Sequence, residues 1–218
     1  NTDYMIASPK NVANAAYSQT VQLDFNHILS RLNITVKKGP KLAAIAATYP
    51  DDAKLNIVDI EVRDMISKGT FDEKGATVGN TAAAATYGRW TRTTDKVTYN
   101  ACVADASDVT ETPIYVLQSL IIPQPAAYQA INRDGSSDET APYIYIEYQI
   151  GTSTSTASAE TYKAYINLAA AFGKSTGEVA FNEGWQNTLN LTIDVDAIEF
   201  DPQVYKWDNG DSKDFPIE

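Results

Sequence analysis

The chain is patterned in twos. From Trp185 onward Leu189, Leu191, Ile193 and Val195 are apolar, while Gln186, Thr188, Asn190, Thr192, Asp194 and Asp196 between them are polar. A period of two sends alternate side chains to opposite faces, so this stretch reads as a β-strand with one buried face and one wet face. A central parallel strand would be apolar on both faces. The same alternation runs through Val21, Leu23, Phe25 and His27, changes parity near Ile28 and Leu29, and resumes at Leu32, Ile34 and Val36. A bulge, or a strand followed by a short turn, produces such a change. Further strands are predicted over residues 57–62, with Val58, Ile60 and Val62 on one face, and over 97–103, 115–122 and 162–168. Tyr143–Ile150 is aromatic or aliphatic on both faces and so belongs in the middle of a sheet.

Turn chemistry separates these runs. Lys37-Lys38-Gly39-Pro40, residues 50–54, 132–140, 151–159 and 173–177 carry the Gly, Pro, Asn, Asp and Ser of loops. Residues 42–47 are Ala-rich and predict a helical turn; longer helical patterns are scarce. The expectation is an all-β sandwich of about seven to nine short strands. Residues 1–20, with Pro9 and several Asn and Ala, read as an irregular lead-in, and 21–218 as a single β-sandwich domain. The segment Ile122-Pro123-Gln124-Pro125 offers an internal boundary near residue 123.

Composition sharpens this. A chain of 218 residues buries roughly 70% of its unfolded surface and needs no staples. The formal charge of -11 repels phosphate backbones and anionic membrane faces, so nucleic acid is not an expected partner. The single cysteine, Cys102, permits no intrachain disulfide and reads as a small core residue. No apolar run is long enough to span a bilayer. The chain starts at Asn1 rather than Met, which suggests a processed or trimmed start with the leader not present.

Catalytic chemistry is hard to find. The one histidine, His27, closes an alternating strand and lacks a bracketing nucleophile motif. Asp194 and Asp196 share a strand face as solvated carboxylates, although a two-carboxylate glycosidase remains an alternative on inventory. Asp208, Asn209, Asp211 and Asp214 form an acidic run without the spacing of a calcium loop. No catalytic residue, cofactor or metal site is predicted. Trp90, Trp185, Trp207, Tyr143, Tyr145 and Tyr148 could stack on sugars if exposed, but their strand spacing favours the core. Trp90, Trp185, Tyr143 and Tyr145 are the candidate glycan-stacking rings of a carbohydrate-binding surface module, the alternative reading of function.

Four segments carry a resemblance. Asp3-Tyr4-Met5-Ile6-Ala7 followed by Leu23-Asp24-Phe25-Asn26-His27 gives D-x-x-x-A, then L-x-F-x-H. Leu120-Ile121-Ile122-Pro123-Gln124 is an apolar-Pro-Gln segment, and residues 181–198, ending at Trp207, form closing strands. In this order they resemble the C-terminal part of the fimbrillin-like (Mfa-like) proteins of Bacteroides and relatives. The resemblance implies a transthyretin-like Greek-key β-sandwich, exported to the cell surface or outer membrane as a lipoprotein. It implies a structural or adhesive fimbrial subunit, not an enzyme, joined to other fimbrial subunits by donor-strand exchange. Host or bacterial surface glycans or proteins would be its adhesive partners. In strand exchange a partner's strand fills an incomplete sheet through main-chain bonds and alternating side chains. The rows that could border such a groove are Leu23 and Phe25, and Leu189, Leu191, Ile193 and Val195.

Overall fold

The computed structural model describes residues 2–10, 21–74, 86–87, 89–100, 107–130, 141–151, 160–206 and 214–215. Along the chain these form β1 (Met5–Lys10), β2 (Val21–His27), β3 (Ser30–Lys38), α1 (Pro40–Ala46), β4 (Leu55–Ile66), β5 (Gly69–Phe71), β6 (Thr86–Tyr87), β7 (Trp90–Arg92) and β8 (Lys96–Asn100). There follow β9 (Ile114–Ile121), β10 (Gln124–Ala127), β11 (Tyr143–Ile150), β12 (Glu160–Asn167), α2 (Leu168–Ala171), β13 (Glu178–Phe181), β14 (Trp185–Ile193), β15 (Ile198–Lys206) and β16 (Asp214–Phe215).

Eight strands make two four-stranded sheets, ordered β15-β14-β3-β9 and β12-β11-β4-β8. Lettered A to H in chain order, these eight read D-A-G-H and C-B-E-F, which is the transthyretin-like Greek key. All neighbours are antiparallel except β3 and β14, which run parallel from the pair Arg31 and Gln186 to Lys38 and Ile193. Leu32, Ile34 and Val36 of β3 join Leu189, Leu191 and Ile193 of β14, and Leu55, Ile60, Val62, Ile144 and Ile146 of the other sheet, in one core. Each such side chain contributes roughly 1.5–3 kcal/mol when fully buried. On the opposite face a polar ladder crosses the parallel pair: the Asn33 Nδ2 donates to Thr188 Oγ1 at 3.3 Å and Thr35 Oγ1 to Asn190 Oδ1 at 2.7 Å. Asn33, Thr35 and Thr188 are buried, so this face is less wet than the alternation implied.

Several expectations shift. Met5–Lys10, expected within an irregular lead-in, forms β1 and pairs antiparallel with β2. Pro9 is tolerated because β1 is an edge strand and needs no donor on its open side. The parity change near Ile28 is the step between β2 and β3. The chain continues past Pro123 directly into β10, which pairs with β13. In β4 the register shifts opposite Glu147 and Tyr148, so Ile57 and Ile60 point inward while Val58 is exposed. Val58 therefore does not share a face with Ile60 and Val62; the extra residue of a bulge reverses its direction. Tyr143–Ile150 lies mid-sheet, between β12 and β4.

A second, smaller core joins the foot of β3 to the three-stranded sheet β5-β7-β6. Ile28, Leu29, Trp90 and Ile122 are buried together, with Ile6, Phe71 and Leu120 packed against them. The Trp90 Nε1 donates to the Ile28 carbonyl at 2.8 Å, and its ring meets Phe71 at 5.3 Å between centroids. Arg89 lies over the Phe71 ring and pairs with Glu183 at 2.8 Å, fastening this sheet to the turn before β14.

Candidate assembly surface

The Leu189, Leu191 and Ile193 row lies fully buried in β14, and β14 is hydrogen-bonded on both sides, to β3 and to β15. Val195 does not continue the row. It is 49% exposed, because β14 ends at Ile193 and Asp194 leaves the sheet to serve α1. The Asp194 carboxylate accepts from the backbone N–H groups of Lys41 at 3.1 Å, Leu42 at 2.8 Å and Val195 at 2.9 Å. It supplies from a distant strand the cap that Gly39 lacks. Gly39 has to be glycine here, since a Cβ would fall 2.5 Å from Asp194 Cγ. Burial alone would raise the Asp194 carboxyl, but those three N–H donors and Lys41 outweigh it and hold it below the usual carboxylate range. Asp196 instead pairs with Lys41 at 2.5 Å at the surface. The two aspartates thus have separate structural partners.

Among the described residues, β15 forms the edge of the sheet beyond β14. Its inward residues Ile198 and Phe200 are half-buried against the core, but Pro202, Val204 and Tyr205 further along are exposed, the last two at 44% and 47%. Pro202, opposite Leu189, removes one donor from the strand. An edge strand that is half seated and half exposed is the least held part of this sheet.

Leu23 and Phe25 lie on β2, between β1 and β16 in a separate three-stranded sheet. Leu23 is half-buried and Phe25 exposed, near the exposed Tyr4 and Met5. His27 ends β2 buried, with its Nδ1 2.8 Å from an Asp3 carboxylate oxygen. That contact pins the start of the chain to the foot of the sandwich. These two candidate rows therefore sit in different sheets.

The aromatic candidates are not gathered into one platform. Trp90 is buried in the second core, so its faces are closed to a sugar. Trp185 opens β14 and is 36% exposed. Tyr143 and Tyr145 stand on the outer face of the other sheet. Tyr145 is buried there, covered by the Arg63 guanidinium 4.6 Å above its ring and by Tyr165 at 5.1 Å. Tyr145 donates to Glu147 at 2.5 Å, and Glu147 faces Lys163 at 3.5 Å. Burial, then the bond to Glu147, pushes the Tyr145 phenol up; the same bond and Lys163 pull Glu147 down. Burial and the neighbouring Glu61 raise Asp59 on this face. Sequence reading missed Arg63 and Tyr165, although the in-register pairing of Tyr145 with Tyr165 joins two visible strands. Tyr148 stacks on Tyr162 at 5.3 Å against the main core.

Among the described residues no three His, Cys, Asp or Glu side chains are grouped to hold a metal ion. Cys102, Trp207, Asp208, Asn209 and Asp211 lie outside the described residues, as does the Asp214 side chain. No described helix is long and apolar enough to cross a membrane.

A fimbrillin-like family model matches residues 1–207. The chain belongs to the fimbrillin-like family. That family comprises structural fimbrial proteins rather than enzymes. Among solved structures, this fimbrillin-like chain is similar to a proposed cell adhesion protein from Bacteroides uniformis, at 16% identity and TM-score 0.42, over 85% of this chain and 53% of that one. It is similar to a fimbrial protein from Bacteroides vulgatus at 17% identity and TM-score 0.38, over 86% and 57%. The tip fimbrial protein Mfa3 from Porphyromonas gingivalis, with a C-terminal truncation, matches at 8% identity and TM-score 0.38, over 84% and 52%. The chain thus spans about half the length of these structures. No curated protein matches it.

Proposed function

We propose that this chain is a structural or adhesive subunit of a bacterial cell-surface fimbria, and that it joins neighbouring subunits by exchanging β15. Family membership supports the fimbrial role. The observation that carries the exchange is the contrast between β14 and β15. The Leu189, Leu191 and Ile193 row is fully buried, yet its outer neighbour is an edge strand whose final residues are exposed. If β15 leaves, β14 offers an open hydrogen-bonding edge beside a hydrophobic row. A second subunit's β15 fits there with the same nine-residue register, from Trp185 opposite Lys206 to Ile193 opposite Ile198. Exchange of an identical element changes the connectivity without new contacts, so it costs little beyond hinge rearrangement. The Leu23 and Phe25 row serves less well, because Leu23 is only half-buried and Phe25 is exposed, so it does not form a closed hydrophobic row.

Asn190 and Asp201 are opposed across the β14–β15 pair. In a Cys102→Ser background, Asn190→Cys with Asp201→Cys locks β15 in place once oxidised. Oxidised protein is expected to stay monomeric under assembly conditions, and reduction to restore assembly. Equal assembly in both states would show that β15 does not move between subunits.

A further inference from the structure

A cleft of about 480 Å³ opens where the end of β4, the start of β8 and the end of β7 meet β10 and the start of β11. None of its lining residues belongs to either candidate assembly row. Its making begins with a second bulge in β4: Val62 opposes Tyr99 and Met65 opposes Val97, so one extra residue is accommodated. Asp64 takes it up in the left-handed region at φ 63°. Bulges of this kind re-aim side chains and recur beside binding sites. Here the bulge brings Asp64 within 3.9 Å of Lys96 at the cleft wall. Arg92, at the end of β7, reaches the same cleft with only 9% of its surface exposed. Among the described residues the charged groups of the lining are Arg92, Lys96 and Asp64, in a chain whose formal charge is -11.

Part of the lining is apolar. Pro125, Ala127, Tyr128 and Pro142 form this part, and the Tyr128 ring is accessible. An aromatic ring beside prolines suits the C–H face of a sugar, while a buried guanidinium suits a carboxylate or sulfate. An extended peptide fits less well. Gln124 already occupies both main-chain groups of Ile66, accepting from its N–H at 2.9 Å and donating to its carbonyl at 3.0 Å. Pro125 and Pro142 carry no N–H. Strand addition to these walls therefore lacks main-chain partners. The volume falls in the range of small-ligand sites, enough for one or two sugar rings.

We propose that this cleft binds an acidic saccharide, with Arg92 and Lys96 holding its anionic group and Tyr128 stacking on its ring. The site is separate from β15, so binding can be read on the unassembled full chain, whatever becomes of the fimbrial reading. Titration calorimetry with digalacturonic acid, a sulfated chondroitin disaccharide and neutral galactobiose tests it. Saturable, salt-sensitive binding of either acidic disaccharide, with none of the neutral one, is expected; which of the two binds identifies the anionic group. Arg92→Gln, Lys96→Gln and Tyr128→Ala should each weaken it about tenfold or more. Lys96 and Tyr128 are exposed, so their variants stay folded even if loss of the buried Arg92 disturbs the turn. Absence of binding by both acidic probes, equal binding of galactobiose, or unchanged affinity in the Lys96 and Tyr128 variants would overturn the proposal.

Discussion

Leu191 lies opposite Phe200 on one side and Val36 on the other, with no exposure. Truncation to Ala there removes buried methyl groups from a closed sheet, and a loss of about 2–5 kcal/mol is expected in urea unfolding. Val195, four positions on and half exposed, should tolerate Val195→Ala within about 0.5 kcal/mol. Equal costs at both sites would mean that β14 continues past Ile193. Asp194 gives a different signature. Asp194→Ala removes the cap of α1 and should cost about 0.5–2 kcal/mol at neutral pH. Because its folded carboxyl sits below the ordinary value of 3.8, that contribution is fully present above 3.8 and is lost as pH falls through the lower folded value. Stability curves of parent and variant should therefore converge in acid. A gap independent of pH down to strong acid would assign the effect to packing instead.

Strands differ in how firmly they are held. β3 and β14 have neighbours on both sides and a polar ladder as well as a core face, whereas among the described residues β15 has one neighbour and an exposed end. Amide hydrogen exchange should find β15 opening at a lower free energy than β14 or β3. Uniform protection across the three would argue against β15 as a mobile donor. The same contrast explains what the sequence revealed. The alternating row of β14 and the two-sided apolar run of β11 were legible because local period two is written in neighbouring residues. The parallel pairing of β3 with β14 was not, since those residues are 155 apart and no local pattern states which strands meet. The Val58 and Asp64 bulges were invisible for a related reason: a bulge shifts parity only against a partner strand. Val195 looked like part of the row because Asp194 looked like a solvated strand residue; its tie to Lys41 and Leu42 lies across the fold. An aromatic residue type alone does not separate the buried Trp90 from the accessible Tyr128.

For the molecule as a whole, two sheets in the order D-A-G-H and C-B-E-F enclose one main core, and a smaller core ties β1 and the β5-β7-β6 sheet to its foot. A negatively charged surface of this kind keeps single copies apart in solution, so association has to come from a specific, directional joint rather than from general stickiness. Strand exchange is such a joint: held by a row of main-chain bonds and alternating side chains, it is expected to resist detergent at room temperature and to yield on heating. The measurement that bears most directly on this account is a detergent gel of native surface extract, run unheated and boiled, and probed for this protein. The account predicts a ladder of high-mass species in the unheated lane that collapses to one monomer band on boiling. A monomer band alone in both lanes would contradict assembly by exchanged strands.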